Sequence, residues 1–456
     1  MSSSFEYITK YFNTRFFGDG ADGLSPRNGD RAPRFSLDGT ERALTFPPFL
    51  GGLSLSSVIK DQPLELRMVP ADEVVQNLLG EKEIPVLCER DAENPLRLVT
   101  VEENTVRIHF DLLGGAFYIL TRMEEYLSPV RDEYDRFPAY ASHALIHGYL
   151  HRPVVDEYVE ILWHCIKRLW PGAKRRNESF RMMVTHDVDE PFRYALRPAW
   201  KVLRTFGGDL LRRHDVKSAF GNPARWFKGK YFRPWQSDPF YTFEKIMDMS
   251  EACGIRSAFY FLSGRSSPLL DGDYTLSHPY ILNIMRRIHE RNHEIGYHGS
   301  YNTYRDSEAA CREVHTLRDV TSRLGVSQEN WGGRQHILRW NAPITWQNYE
   351  KAGLNYDTTL SYADHAGFRC GTCHPFAVFD VEQDKALKLK EFALVVMECS
   401  VLDKRYMDLS PEKGLEHMMM LKNKCRKYHG VFCLLWHNSR FVSPVEREIY
   451  AQVLAE

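Results

Sequence analysis

The spacing of apolar and polar positions changes along this chain, and the changes divide it. Up to about residue 60 no period holds, and 18–38 is polar and rich in glycine and proline, so a long loop region is expected there. Leu64 to Val69 alternates as a strand does, Asp72 to Leu79 fits a short helix, and Val99 to Phe110 reads as a hairpin around Glu103-Asn104. Then the period lengthens. Leu112 to Leu127 carries apolar residues at helical spacing, and Val154 to Trp170 is a second amphipathic helix opening near Pro153. Together these predict a small α+β domain over residues 1–175.

Pro171 to Ser179 is short, polar and basic, as a domain boundary is. Beyond it the apolar run Met182-Met183-Val184 predicts a buried strand, followed by an insertion from about Arg193 to Asp238 holding Trp200, Trp226, Trp235 and many Arg and Lys. Such a segment reads either as a lid or surface helix pair or as a clasp for a sugar. From there strand and helix patterns alternate. The strands are Ser257–Leu262, Glu294–His298, Arg334–Leu338, Tyr356–Leu360, Ala393–Cys399 and Val431–Trp436, separated by helical stretches that end with Pro444 to Leu454. Regular alternation implies βαβ units on a parallel sheet, and about seven units can close a distorted (β/α) barrel over residues 180–456. The fold class is therefore α/β, and in such barrels the chemistry stands at the C-terminal strand ends.

Composition narrows the function without naming it. Of 456 residues, 43% are hydrophobic and 26% charged, as in a globular protein, and 59 basic residues against 60 acidic ones give no bulk field to attract nucleic acid. No run approaches the roughly 18 apolar residues of a membrane span, and no export signal is visible, so a cytoplasmic location is expected. Nine cysteines without framework spacing suit reduced thiols. Cys370-Gly371-Thr372-Cys373-His374 matches the pattern that attaches c-type haem, but haem of that kind follows export, and a structural zinc would need a second ligand pair that no spacing supplies. A structural role is expected for both cysteines.

The polar residues fall at the predicted strand ends. In Thr185-His186-Asp187-Val188-Asp189, strand alternation sends Thr185, Asp187 and Asp189 to one face. Like charges so close persist when one binds a metal or when the two divide acid and base work, although the same letters also fit a strand entering an Asp-rich turn. Another strand ends in His298-Gly299-Ser300-Tyr301-Asn302, another carries Arg334-Gln335-His336, another ends in Glu398, and the last ends in Trp436-His437-Asn438. Several His and Asp residues at one barrel mouth favour a metal or acid–base site.

These motifs, in this order, resemble those of the polysaccharide deacetylase superfamily, the NodB-type carbohydrate esterases. The likeness covers Thr185 to Asp189, His293-Glu294-Ile295-Gly296-Tyr297-His298, the Arg334 segment and Leu434-Leu435-Trp436-His437, and so spans about Arg181 to Glu456. Residues 60–170 resemble the uncharacterised domain that precedes some bacterial members, above all Phe117 to Tyr126. The resemblance implies a divalent metal, usually zinc, used to remove N- or O-acetyl groups from an acetylated carbohydrate in surface-polysaccharide metabolism. It implies Asp187 as general base, Asp189 and His298 as metal ligands, Arg334 as the residue orienting Asp187, and His437 as general acid. Tyr301, Trp436 and Asn438 are the expected substrate contacts. The family has a second His four residues after the first, where this chain has Asn302, a poor zinc ligand; both Asn302 and His336 therefore stand as candidates for the remaining metal position. A non-catalytic carbohydrate-binding relative is the alternative reading, and the oligomeric state is left open.

Overall fold

A computed structural model describes residues 2–19, 23–26, 33–37, 41–89, 97–203 and 216–455, with 216–221 described by their backbone alone. The centre of the insertion lies outside the described residues.

The chain begins with a helix, Ser3–Phe17, where a loop was expected. Its apolar stripe is mostly aromatic: Phe5, Phe12 and Phe16 are buried together with Ile8, and the Ser2 side chain accepts a hydrogen bond from the Phe5 N–H to cap it. Burying each of those rings contributes roughly 1.5–3 kcal/mol, enough to fix a segment whose sequence looks irregular. The strands of this region are β1 (Ser25–Pro26), β2 (Arg34–Ser36), β3 (Ala43–Thr45), β4 (Leu64–Pro70), β5 (Glu83–Glu89), β6 (Val99–Val101) and β7 (Thr105–Ile108). They form one sheet in the order β1-β2-β3-β7-β6 and a separate antiparallel ribbon, β4-β5. The β6–β7 hairpin and β4 stand where the pattern put them; β5, β4's partner, was not foreseen. The helix expected over Leu112 to Leu127 is two, Leu112–Leu120 and Met123–Leu127, because Arg122 takes a left-handed conformation (φ 56°) between them.

From Arg181 onward one nine-stranded sheet dominates. Its members are β8 (Arg181–Val188), β9 (Ala258–Leu262), β10 (Glu294–Gly299), β11 (Gly332–Gln335), β12 (Tyr356–Asp357), β13 (Phe376–Asp380), β14 (Lys385–Glu391), β15 (Val396–Met397) and β16 (Val431–Leu435). Their order is β13-β14-β12-β11-β10-β9-β8-β16-β15, so among the described residues the sheet is a nine-stranded one with β13 and β15 at its edges and is not seen to close as the expected barrel of about seven strands. All neighbours run parallel except β13 and β14. That hairpin is the addition that sequence reasoning missed, although the Lys385–Glu391 strand alternates exposed and buried residues cleanly.

Parallel register decides where the chemistry can gather. Asp187 pairs with Tyr260, His298 with Leu262 and Arg334, and Thr185 with Leu435, which brings the C-terminal ends of β8, β10, β11 and β16 to one rim. The two regions share one core. Phe379 of β13 packs on Tyr7 and Phe117 at 4.9 and 5.2 Å between ring centroids, and the buried Glu125 carboxylate accepts from Arg122 of its own region and Arg369 of the other.

Candidate metal and acid–base site

Asp187 is the fixed point of the rim. Arg334, fully buried on β11, donates through Nη1 to Asp187 Oδ1 at 2.8 Å and to Thr185 Oγ1 at 2.9 Å, while its Nε donates to the Thr358 carbonyl at 2.9 Å. One guanidinium thus holds two side chains of a single β8 face, as strand alternation requires. The second carboxylate oxygen, Oδ2, lies 3.8 Å from His298 Nε2.

Asp189 stands just beyond β8, at the meeting point of three imidazoles. Its Oδ1 is 3.1 Å from His298 Nε2 and 3.5 Å from His336 Nε2; its Oδ2 is 3.5 Å from His437 Nε2. The tautomers follow from the partners on the far side of each ring. His298 Nδ1 faces the Arg334 carbonyl at 2.9 Å and His336 Nδ1 faces the Asp271 carboxylate at 2.8 Å. Those partners only accept, so each Nδ1 carries a proton, and a ring with no second proton presents its Nε2 lone pair to the Asp189 carboxylate. Three lone-pair atoms therefore converge, and Asp189 Oδ1 and His298 Nε2, both shielded from solvent, have no hydrogen-bond partner among the described residues. Lone pairs aimed at one point repel unless a cation or extra protons stand between them. One Asp and two His, each His held from behind, is a donor set that fits a divalent metal with positions left open.

Where extra protons fill that point instead of a cation, burial still disfavours charge on Asp189, but the imidazoles of His336, His298 and His437, carrying those protons, outweigh it and hold the carboxyl well below the ordinary aspartate range. Burial likewise opposes protonation of His298, and the Asp187 and Asp189 carboxylates reverse it, raising its pKa.

His437 completes the mouth from the opposite side. Glu398, the first residue after β15, accepts from the His437 backbone N–H at 3.1 Å and from its Nδ1 at 2.6 Å, leaving Nε2 pointed at the pocket. Burial works against the imidazolium, yet the adjacent Glu398 carboxylate raises the His437 pKa well above the usual value. The surrounding cavity, about 140 Å³, is walled by Ile337, Leu338, Ala363, Met397 and Leu435, with Arg136, Arg405 and Tyr406 at its polar side.

Asp271 escaped sequence reasoning. It sits in the loop after β9, fully buried, and also accepts the backbone N–H groups of Ser266, Ser267 and Tyr301. That loop lies against β8 itself: a Cβ on Gly272 would stand 2.3 Å from the Asp189 carbonyl oxygen, so only glycine fits. The acidic run Asp271-Gly272-Asp273 was the available signal, but nothing in it says which histidine it would face.

Several expected residues lie elsewhere. Asn302 does not join the cluster: its amide oxygen accepts from Arg339 at 3.2 Å and its amide nitrogen donates to the Ser266 carbonyl at 3.3 Å. Tyr301 is stacked against the Arg339 guanidinium at 3.9 Å. Trp436 is wholly buried, its ring against Tyr450 and its carbonyl accepting from His186, which leaves no face for a substrate. Asn438 is buried too, spending its amide hydrogens on the carbonyls of Glu190 and Phe240. These two fail as substrate contacts for the same reason: directly after a buried strand the chain still needs packing and backbone partners.

A scan against protein families and a search of solved structures both find matches to this chain. Residues 56–171 match a family described as a family of unknown function (DUF7033). No curated protein matches the chain. Among solved structures, the chain is similar to a protein from Mycobacterium smegmatis described as a polysaccharide deacetylase, with TM-score 0.39 and 18% identity over 61% of this chain and 85% of that one. It is also similar to Puue allantoinase, with TM-score 0.36 and 11% identity over 62% of this chain and 85% of that one. A mutant of BA3943, a CE4 family pseudoenzyme, gives TM-score 0.31 and 8% identity over 61% of this chain and 62% of that one. At these values the likenesses carry no argument about chemistry, which rests on the site itself.

Proposed function

We propose that this chain is a metal-dependent hydrolase that removes acetyl groups from an N- or O-acetylated sugar or polysaccharide intermediate, with zinc as the metal and a cytoplasmic site of action in surface-polysaccharide metabolism. The observation that carries the reading is the convergence of three lone-pair atoms, Asp189 Oδ1, His298 Nε2 and His336 Nε2, beside a second carboxylate held by a buried arginine. Asp189, His298 and His336 would hold the metal, which when bound supplies Lewis acidity toward the acetyl carbonyl. Asp187 accepts the proton of the attacking water, and Arg334 keeps that carboxylate aimed. His437 Nε2 donates a proton to the departing amine or alkoxide, and Glu398 fixes the ring so that only this nitrogen reaches the pocket. The apolar wall of Leu338, Ala363, Met397 and Leu435 limits water around the reacting carbonyl.

The test is direct. Purified protein should carry close to one equivalent of zinc and release acetate from a panel of N- and O-acetylated sugars, with loss of both on chelation. Stoichiometric metal without acetate release from any panel member would sink the deacetylase assignment, and absence of metal would sink the site.

A further inference from the structure

The region that matches a family of unknown function reaches into the metal site. Immediately after His336, both Ile337 (φ 59°) and Leu338 (φ 56°) adopt the left-handed conformation. A β-branched residue rarely takes that geometry, and two consecutive residues hold it only where surrounding structure enforces it. The enforcement comes from residues 134–136. Arg136 Nη1 donates to the Ile337 carbonyl at 2.9 Å, and Arg339 Nε donates to the Tyr134 carbonyl at 2.8 Å, so the strained pair is gripped on both sides. Asp132 makes the grip rigid: its Oδ1 accepts the backbone N–H groups of Tyr134 and Arg136, and its Oδ2 accepts from Arg136 Nε at 2.8 Å. Asp135 ties the same turn to the 3-10 turn Thr303–Arg305 that follows β10, accepting from Tyr304 Oη and pairing with Arg305 at 3.0 Å.

We propose that Arg136 is a positioning residue for His336, and that one function of the N-terminal region is to complete the metal site by clamping the His336–Arg339 turn. This inference rests on the proposed metal reading. His336 takes its direction from two contacts, Asp271 at its Nδ1 and the backbone that continues into Ile337; releasing the second lets the left-handed pair relax and swings Nε2 away from Asp189.

The experiment measures zinc and cobalt affinity by competition with a chelating dye, using the full chain. Arg136→Ala should weaken both affinities by about 10- to 100-fold, the usual effect of removing a group that supports a ligand. Arg136→Lys, which keeps one donor toward the Ile337 carbonyl, should recover part of that loss. Tyr7→Phe removes a hydrogen bond between the same two regions, Tyr7 Oη to the Ala377 carbonyl, far from the site, and should leave affinity unchanged. Thermal midpoints of the metal-free proteins show that all three variants are folded. A wild-type affinity in folded Arg136→Ala overturns the inference alone, as does an equal loss in Tyr7→Phe; a wild-type chain that binds neither metal overturns the proposed site along with it.

Discussion

Among the described residues, two clusters bring an aspartate and a histidine together with a third metal-ligating side chain, and they settle their charges in opposite ways. Asp156, Cys373 and His374 lie where the regions meet; Asp189, His298 and His336 lie at the sheet's rim. In the first, Asp156 Oδ1 accepts from Arg15 at 2.8 Å and from the Thr372 hydroxyl at 2.9 Å, and Oδ2 accepts from the Cys373 backbone N–H at 2.8 Å and its thiol at 3.2 Å. His374 Nε2 donates to the Tyr428 carbonyl. Every lone pair of the carboxylate has a donor, and a guanidinium cancels its charge. In the second cluster no guanidinium among the described residues pairs with Asp189, and the imidazoles turn Nε2 toward it. Each cluster holds three potential ligands at similar proximity; the direction of the lone pairs separates a structural joint from a metal site.

The largest expected effect breaks the rim cluster. Asp189→Asn removes the only charge that faces all three imidazoles, so bound metal should be lost and acetate release with it, returning partly as zinc is added in excess. Metal analysis and activity with and without added zinc measure this. Full occupancy in the variant would show that the two histidines suffice and that the comparison drawn above is mistaken. Asp187→Asn, only two residues away, should keep its metal while turnover falls by about 10²- to 10⁴-fold, since the amide still accepts from Arg334 but cannot take a proton. Equal metal loss in both variants would mean that Asp187 is also a ligand.

The rim was legible in sequence for a physical reason. Chemistry on a parallel sheet is confined to the residues at and just past each strand's end, so once the strands are placed, Asp187, Asp189, His298, His336 and His437 are short-listed by position. What the sequence could not show was orientation. Trp436 and Asn438 occupy the same kind of position as His437, yet Trp436 is turned inward by packing on Tyr450 and Asn438 by the carbonyls of Glu190 and Phe240. Asp271 is the converse: it lies on a connecting loop, has no strand to index it, and is defined only by the histidine it meets in space. The helix Ser3–Phe17 hid because its stripe is aromatic and interspersed with polar residues, and β13 and β14 hid because a hairpin interrupts the βαβ alternation that located the others.

A smaller effect on chemistry, with a larger one on stability, is expected at the structural joint. Asp156→Asn leaves Arg15 with only Glu178, 3.6 Å from its Nε, as a charged partner, and should cost about 3 kcal/mol of folding stability while metal content stays at the wild-type level. The pH dependence has a definite sign. Burial raises the Asp156 pKa, but His374, Arg15 and the Cys373 N–H outweigh it and the folded-state pKa is lowered. A depressed acid pKa contributes stability above the unfolded value of about 3.9 and loses it as pH falls toward the folded one. Wild-type stability should therefore fall more steeply than that of Asp156→Asn in denaturant titrations below about pH 5, and parallel curves would remove the ion pair from the joint.

The smallest expected effect concerns Cys370 and Cys373, whose C-x-x-C-H spacing suggests haem or redox chemistry. Both thiols are buried, and burial is the main cause that pushes their pKa values upward, away from the thiolate that metal binding or disulfide exchange needs. The segment is occupied in another way: the Gly371 carbonyl accepts the Val155 N–H at 2.7 Å, docking the turn on the helix Val154–Leu169, and Gly371 holds φ 63° to do so. In the double variant Cys370→Ser, Cys373→Ser the second hydroxyl can still donate to Asp156, whereas the first enters an apolar setting and costs roughly 1–3 kcal/mol as a poorly satisfied buried group. The thermal midpoint should drop by a few degrees, with zinc content and acetate release close to wild type. Loss of stoichiometric metal in a folded double variant would transfer the metal from the rim to the joint and reverse the assignment of the two clusters.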